Sequence, residues 1–285
     1  MMYKASIQNR GGETLELTGH EDQWQVVSIA GLNPPAANIN LTDIAGLDGG
    51  KFNSSKLGTR NIVITLRVRG DAEENRLRLY DFFRTKEQCR FFFQNDTRDV
   101  YIDGYVETVE SNLFVLGQLV QASIICPDPY FKSVAGNEVD ISDTVKMFEF
   151  PFSIESPVAF SVFVPNRETV VVNASESVTG MLFNITFLDS VNNLKIRNTD
   201  TNEYIELTYA FQEDDIVVIN TMPGQKYIRL YRSGSETNIF GALSISSTFL
   251  QLETGSNVFA YSADSGAGDA DVIITVEYTS AFRGV

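Results

Sequence analysis

Ile62-Val63-Ile64-Thr65-Leu66-Arg67-Val68-Arg69 decides the fold. Ile62, Ile64, Leu66 and Val68 share one face, while Thr65, Arg67 and Arg69 share the other. A period of two is the pattern of a half-buried β-strand. The same alternation recurs in Met181–Phe187 and Val272–Tyr278, with shorter runs at 91–93, 100–102, 119–125, 160–164, 216–219 and 227–231. Turn dipeptides punctuate them: Asp103-Gly104, Pro223-Gly224, Ser233-Gly234 and Thr254-Gly255. Many short strands separated by turns predict a mainly β protein built of sandwiches or barrels.

Upstream of that strand lies Gly31-Leu32-Asn33-Pro34-Pro35, followed by Leu47-Asp48-Gly49-Gly50-Lys51-Phe52-Asn53-Ser54-Ser55 and then Arg60. The spacing predicts a long extended loop over about 33–58. Irregular segments of that length inside a compact domain are uncommon and usually functional. This one holds no histidine or cysteine and only two acids, Asp43 and Asp48. Stiff punctuation without catalytic groups suits contact with a partner. Phe52 is the one large aromatic side chain between Pro35 and Arg60 available as an anchor. Arg60 is expected to pair with an acid of a neighbour.

Downstream, Asp71 is a plausible N-cap, with Glu73 and Glu74 where the helix dipole favours negative charge. A helix is expected over about 72–86. Leu77, Tyr80 and Phe83, with Leu79 and Phe82 alongside, would face the sheet, and Arg76, Arg78 and Arg84 would reach solvent.

The break between domains falls after Cys126-Pro127-Asp128-Pro129-Tyr130-Phe131, because two prolines in three residues end a strand. The reading is a first domain over 1–132, a linker over 133–139 and a second domain over 140–285. Charge follows this division. Residues 1–132 carry 14 Lys and Arg against 17 Asp and Glu, a balance of −3; the rest carry 8 against 20, a balance of −12. An acidic surface repels phosphates, so the second domain is not a nucleic-acid binder.

Catalytic constellations are missing. His20, in Gly19-His20-Glu21-Asp22, is the only histidine and reads as a turn residue. With Cys89 and Cys126 as the only cysteines, neither zinc spacing nor a disulfide framework is present, and both thiols are expected to be free and buried. There is no Gly-x-Ser-x-Gly elbow and no phosphate-cradling glycine loop. Asp264, Asp269 and Asp271 lack the spacing of a calcium loop. No catalytic, cofactor-binding or metal site is assigned. No apolar run is long enough to span a membrane. Met1-Met2-Tyr3-Lys4-Ala5-Ser6-Ile7 lacks the core of a secretory leader, so the sequons at Asn53, Asn95, Asn173 and Asn184 carry little weight.

In order and spacing, several pieces resemble the distal tail protein (Dit) family of long-tailed phages that infect Gram-positive hosts. They are Gly31-Leu32-Asn33-Pro34-Pro35, Asp48-Gly49-Gly50 with Phe52-Asn53-Ser54-Ser55, Arg60-Asn61-Ile62, the helix before Phe82-Phe83, and the Cys126 to Phe131 segment. Leu252-Glu253-Thr254-Gly255-Ser256-Asn257 and Phe282-Arg283-Gly284-Val285 continue the likeness across the whole chain.

The resemblance implies a structural protein of the virion, assembled in the host cytoplasm. It implies a tail-tube-like first domain, a sandwich or barrel with one helix, and a galectin-like second sandwich. It also implies a hexameric ring, with the tail tube and the tail-tip hub as partners and a receptor-binding protein docked outside. On this reading the 33–58 loop is an inter-subunit belt, with Pro34, Pro35, Asp48, Phe52 and Arg60 as its contact candidates. DNA would pass the ring without specific binding, so Arg67, Arg69, Arg76 and Arg78 should be engaged by acids or point outward. The competing reading is a glycan-binding adhesin, with Tyr227, Tyr231, Phe240 and Tyr261 stacking on sugars.

Overall fold

The computed structural model describes residues 3–46, 48–115, 117–141, 144–145, 162–163, 168–264 and 272–285. The chain forms two compact units: Met1–Ala135 together with Ala281–Val285, and Gly136–Ser280. Residues 281–285, expected in the second domain, therefore return to the first, and 133–135 stay with it. Long-range strand pairing explains the difference: Phe131 pairs with Phe282, and Lys132 with Ala281.

Unit 1 runs β1 (Lys4–Gln8), β2 (Thr14–Glu16), β3 (Trp24–Ala30), β4 (Ala37–Asp43), β5 (Gly50–Leu57), β6 (Arg60–Val68), α1 (Ala72–Phe82), β7 (Gln88–Gln94), β8 (Asp99–Ser111), β9 (Leu119–Cys126) and β10 (Phe131–Ser133). Unit 2 runs β11 (Asn137–Asp140), β12 (Thr144–Val145), β13 (Val162–Phe163), β14 (Glu168–Asn173), β15 (Met181–Phe187), β16 (Val191–Asn198), β17 (Tyr204–Phe211), β18 (Ile216–Asn220), β19 (Tyr227–Arg232), β20 (Ser235–Asn238), β21 (Gly255–Asp264) and β22 (Val272–Tyr278). The chain then re-enters unit 1 as β23 (Ala281–Phe282).

In unit 1 the main sheet is ordered β2-β1-β7-β8-β9-β6-β3, with β10 beside β8 and β23 beside β10. The alternation of β6 is realised as read: Ile62, Ile64, Leu66 and Val68 are buried against Trp24, Phe91, Ile102 and Ile124 in one core. Each such side chain contributes roughly 1.5–3 kcal/mol on burial. The sheet is open, with β2 and β3 at the two ends of its order, so the barrel alternative for this domain does not hold.

The helix is shorter than the 72–86 expected. The Phe83 N–H still bonds the Leu79 carbonyl, but Lys86 adopts φ 71° and its N–H goes to Val106 on β8. Leu79 and Phe83 enter the core, whereas Leu77 is 49% exposed. Asp71 makes no side-chain cap bond. Arg76, expected in solvent, is buried and lies across the Tyr80 ring with Glu73 2.8 Å away. An arginine stem can cover apolar surface while its head finds partners at the edge.

Unit 2 is a β-sandwich. One sheet is ordered β11-β22-β15-β18-β19-β20 and the other β14-β21-β16-β17, and their inner faces supply one core. Phe183 on β15 meets Phe259 on β21 edge-on at 6.3 Å, and Phe187 stacks on Phe211 of β17 at 4.2 Å. These pairs join the layers, and such contacts add about 0.5–1.5 kcal/mol beyond area burial. Just before β18, Asp215 is buried and held by Arg232 at the end of β19. The sequon residue Asn173 is also buried, with its amide donating to the Ser177 and Leu252 carbonyls.

Candidate assembly surface

The 33–58 segment is regular rather than irregular: among the described residues β4 and β5 pair only with each other, as a two-stranded hairpin arm. Its pairing runs from Ala37 with Leu57 to Asp43 with Gly50, and a bulge follows Asn40. Gly46 and Gly49 adopt positive φ at the tip, beside Asp48, where a side chain would be strained. The alternation Ala37-Asn38-Ile39-Asn40-Leu41-Thr42 was present in the sequence and carries the strand signal.

Alternation gives the arm two unlike faces. Leu41 stands opposite Phe52, with Ile39 two residues away on the same side. Asn38, Asn40 and Thr42 project from the other face, where the Asn53 amide donates to Thr42 Oγ1. The apolar residues are exposed: Ile39 61%, Leu41 55%, Phe52 59%, and Ile44 45% near the tip. An isolated two-stranded hairpin is marginally stable in water. Ile39, Leu41 and Phe52 thus form an exposed apolar stripe along one face of the hairpin.

The base of the arm is built differently. Arg60, on β6 just after the arm, is buried. Its guanidinium donates to the carbonyls of Pro129 and Asn33, each at 2.7 Å, and to those of Gly31 and Arg283. The same group lies 4.6 Å from the centre of the Phe131 ring. Burial pushes the Arg60 guanidinium down from its ordinary value. Gly31, at φ 88°, must be glycine, since a Cβ there would stand 2.1 Å from the Asn61 carbonyl oxygen.

Residues 281–285 close this base. Arg98 donates to the Gly284 carbonyl and lies 4.4 Å over the Phe282 ring. The Val285 N–H donates to the Leu32 carbonyl at 3.2 Å. Gly284 packs so close to Pro34 that an added Cβ would sit 3.0 Å from its Cδ.

The structure thus separates the five belt candidates. Asp48 and Phe52 are exposed on the arm, Pro34 is exposed and Pro35 half-buried at its root, and Arg60 is buried beneath it. Arg60 does not await an acid from a neighbour, because its guanidinium is committed to carbonyls of its own chain. Among the four arginines expected to meet acids or point outward, Arg76 meets Glu73. Arg69 donates to Gln25 at 2.6 Å, Arg78 donates to Gln23 at 3.1 Å, and Arg67 is exposed.

Chemistry is sparse elsewhere. His20 is partly exposed with Glu16 3.6 Å away, beside the turn that leads into Trp24. Both cysteines are free and buried, and burial pushes each thiol up to about 12. Among the described residues no group of three acids, histidines or cysteines could hold a metal ion. Asp269 and Asp271 lie outside the described residues. No helix among the described residues is long and apolar enough to cross a membrane. Of the four sugar-stacking candidates, Tyr227 and Tyr231 lie on β19, Phe240 stacks on Phe249, and Tyr261 packs against the sandwich core.

Residues 174–282 match the family described as siphovirus-type tail component, C-terminal domain. The chain is similar to the crystal structure of SPP1 Dit (gp 19.1) protein, a hub adsorption apparatus paradigm in Gram-positive infecting phages. That likeness has a TM-score of 0.71 at 17% identity and covers 98% of this chain and 99% of that one. Two baseplate structures of phage P2 in the activated conformation are also similar. The calcium form has a TM-score of 0.51 at 12% identity and the strontium form 0.52 at 11%, each covering 97% of this chain and 98% of that one. No curated protein sequence matches. The mainly β architecture and the family likeness read from the sequence are borne out.

Proposed function

We propose that this chain, a Dit-like phage tail component whose residues 174–282 match the siphovirus-type tail component family, closes into a hexameric ring at the far end of a phage tail. The ring joins the tail tube to the tail-tip hub, and unit 2 serves as an outer platform for a receptor-binding protein. Its role is structural, without catalysis, in the virion, after assembly in the host cytoplasm. The arm is the observation that carries this reading. Its apolar stripe of Ile39, Leu41 and Phe52 is exposed in the single chain, and a neighbouring copy would cover it. Cyclic closure of identical copies satisfies such a heterologous contact with no surface left over.

Pro34 and Pro35 support the same reading, since prolines at the root reduce the entropy lost when the arm docks. Arg67, Arg69 and Arg78 would then lie away from the lumen, leaving a wall that lets DNA pass. Negative-stain microscopy with light scattering on the purified protein tests the proposal. Closed rings of six copies are expected. A stable dimer with an isologous sandwich interface would overturn it, and aromatic-dependent micromolar binding to a glycan array would favour the adhesin reading.

A further inference from the structure

The root of the arm is held by a segment that follows unit 2 in the chain. Leu32 and Pro34 lead into β4, and both touch residues 284–285: the Leu32 carbonyl accepts the Val285 N–H, and Pro34 packs on Gly284. Arg60 gathers the Gly31 and Asn33 carbonyls of the root together with the Arg283 carbonyl of that segment. Arg98 and the β10–β23 pairing fix the segment to the main sheet of unit 1. Among the described residues the arm pairs with no other strand. Its orientation is therefore set at the root, to which residues 281–285 contribute the Arg283 carbonyl, the Gly284 packing on Pro34 and the Val285 N–H.

We infer that residues 281–285 are a latch on the arm, and that the arm becomes competent for assembly only after unit 2 has been made and the chain has returned to unit 1. The inference rests on the arm being the assembly surface. Physically, the latch removes a hinge. Without it, Arg60 loses one of its four carbonyl acceptors, and Leu32 and Pro34 lose the groups packed on them. A hairpin free to swing presents its stripe in the docking direction only part of the time. Its apparent affinity for a neighbour falls by that fraction. Copies whose second unit is unfinished would then be excluded from the particle. The device acts through position alone and needs no cofactor.

Spin labels at Ser54→Cys on the polar face of the arm and at Asp96→Cys in the turn between β7 and β8 report the arm's orientation. Both positions are exposed, and the two native thiols are buried away from the reagent. In the full chain a narrow distance distribution is expected. Deleting 281–285, or making Gly284→Val, should broaden it to that of an unrestrained hairpin and raise the concentration needed for assembly by about tenfold or more. Trp24 fluorescence checks that unit 1 remains folded in each variant. Should the deletion not fold, Gly284→Ala, which intrudes on Pro34 by only a few tenths of an ångström, carries the same test. An unchanged distribution in a folded variant overturns the latch. If the full chain forms no assembly at all, the assembly reading is what has failed, and the distance distribution still decides whether the latch exists.

Discussion

Leu41 and Phe52 stand directly opposite each other on the arm, each more than half exposed, at 55% and 59%. Directly opposed large side chains in a sheet normally pack on a layer beneath. Half-exposed as they are, they contribute little to the stability of the single chain. Phe52→Ala should leave the melting of the monomer within about 0.5 kcal/mol of the parent. It should weaken association by about 1.5–3 kcal/mol per interface, roughly ten- to hundredfold in the association constant. Light scattering across a concentration series measures the second effect. Loss of monomer stability with unchanged assembly would remove Phe52 from the interface.

Arg60 works in the opposite way. Arg60→Met removes a charged donor from four carbonyls and should destabilise unit 1 by about 3–5 kcal/mol, since a bond to a charged group contributes about 1.5–3 kcal/mol and desolvation offsets part of the sum. Trp24 is the only tryptophan and is buried in unit 1, so denaturation followed by its fluorescence reads this unit alone. Arg60→Lys should recover part of the loss, because an ammonium cannot present the planar fork. A change confined to assembly would contradict the buried placement.

Gly104 permits a close crossing of strands. A Cβ there would stand 2.6 Å from Ile124 Cγ2 and 2.9 Å from Cys126 Sγ. Gly104→Ala is expected to cost unit 1 about 1–3 kcal/mol by overpacking. Gly58→Ala, where the nearest atom is 3.4 Å away, serves as the mild comparison. Equal melting of the two variants would show that β8 and β9 can separate more easily than their packing indicates.

The Asp215–Arg232 pair makes unit 2 sensitive to acid. Burial raises the Asp215 carboxyl, but bonds from Arg232 and from the Gln212 N–H outweigh it, and the net direction is down. A lowered folded value means stability that is fully present above the unfolded carboxylate value, about 3.9, and is lost as pH falls through the folded one. Asp215→Asn should destabilise unit 2 by about 2–3 kcal/mol near neutral pH, less than a fully buried pair because Arg232 is partly exposed. Melting curves of parent and variant should converge as the pH drops below the carboxylate range. A gap that persists unchanged in acid would mean that packing, not charge, sets the effect.

What the sequence made legible follows from the range of the forces involved. Met181–Phe187 and Val272–Tyr278 were read to the residue because each buries a full alternating face, and burial is written in the period. The helix was found with its start but not its end, since the stop depends on Lys86 bonding to β8, a contact no local pattern announces. The arm was placed but taken for a loop. Its Ile39 and Leu41 alternate like strand residues, yet the prolines before it and the glycines within it weigh toward irregular backbone. Arg60 and Arg76 were assigned to solvent or a neighbour because charge suggests exposure, and only carbonyls or carboxylates gathered around them make burial tolerable. The return of residues 281–285 to unit 1 is a pairing across the whole of unit 2, invisible to any window.

Cys89 on β7 and Cys126 on β9 flank β8, with Gly104 between them. Two strand spacings put their backbones about 9–10 Å apart, beyond the reach of a disulfide. Held as protonated thiols, they stay silent toward alkylating reagents while the sheet is closed. Because unit 2 has no cysteine, every thiol that reacts marks an opening of unit 1. The molecule thus carries its own clock: the rate of alkylation under native conditions counts the openings of the unit that bears the arm.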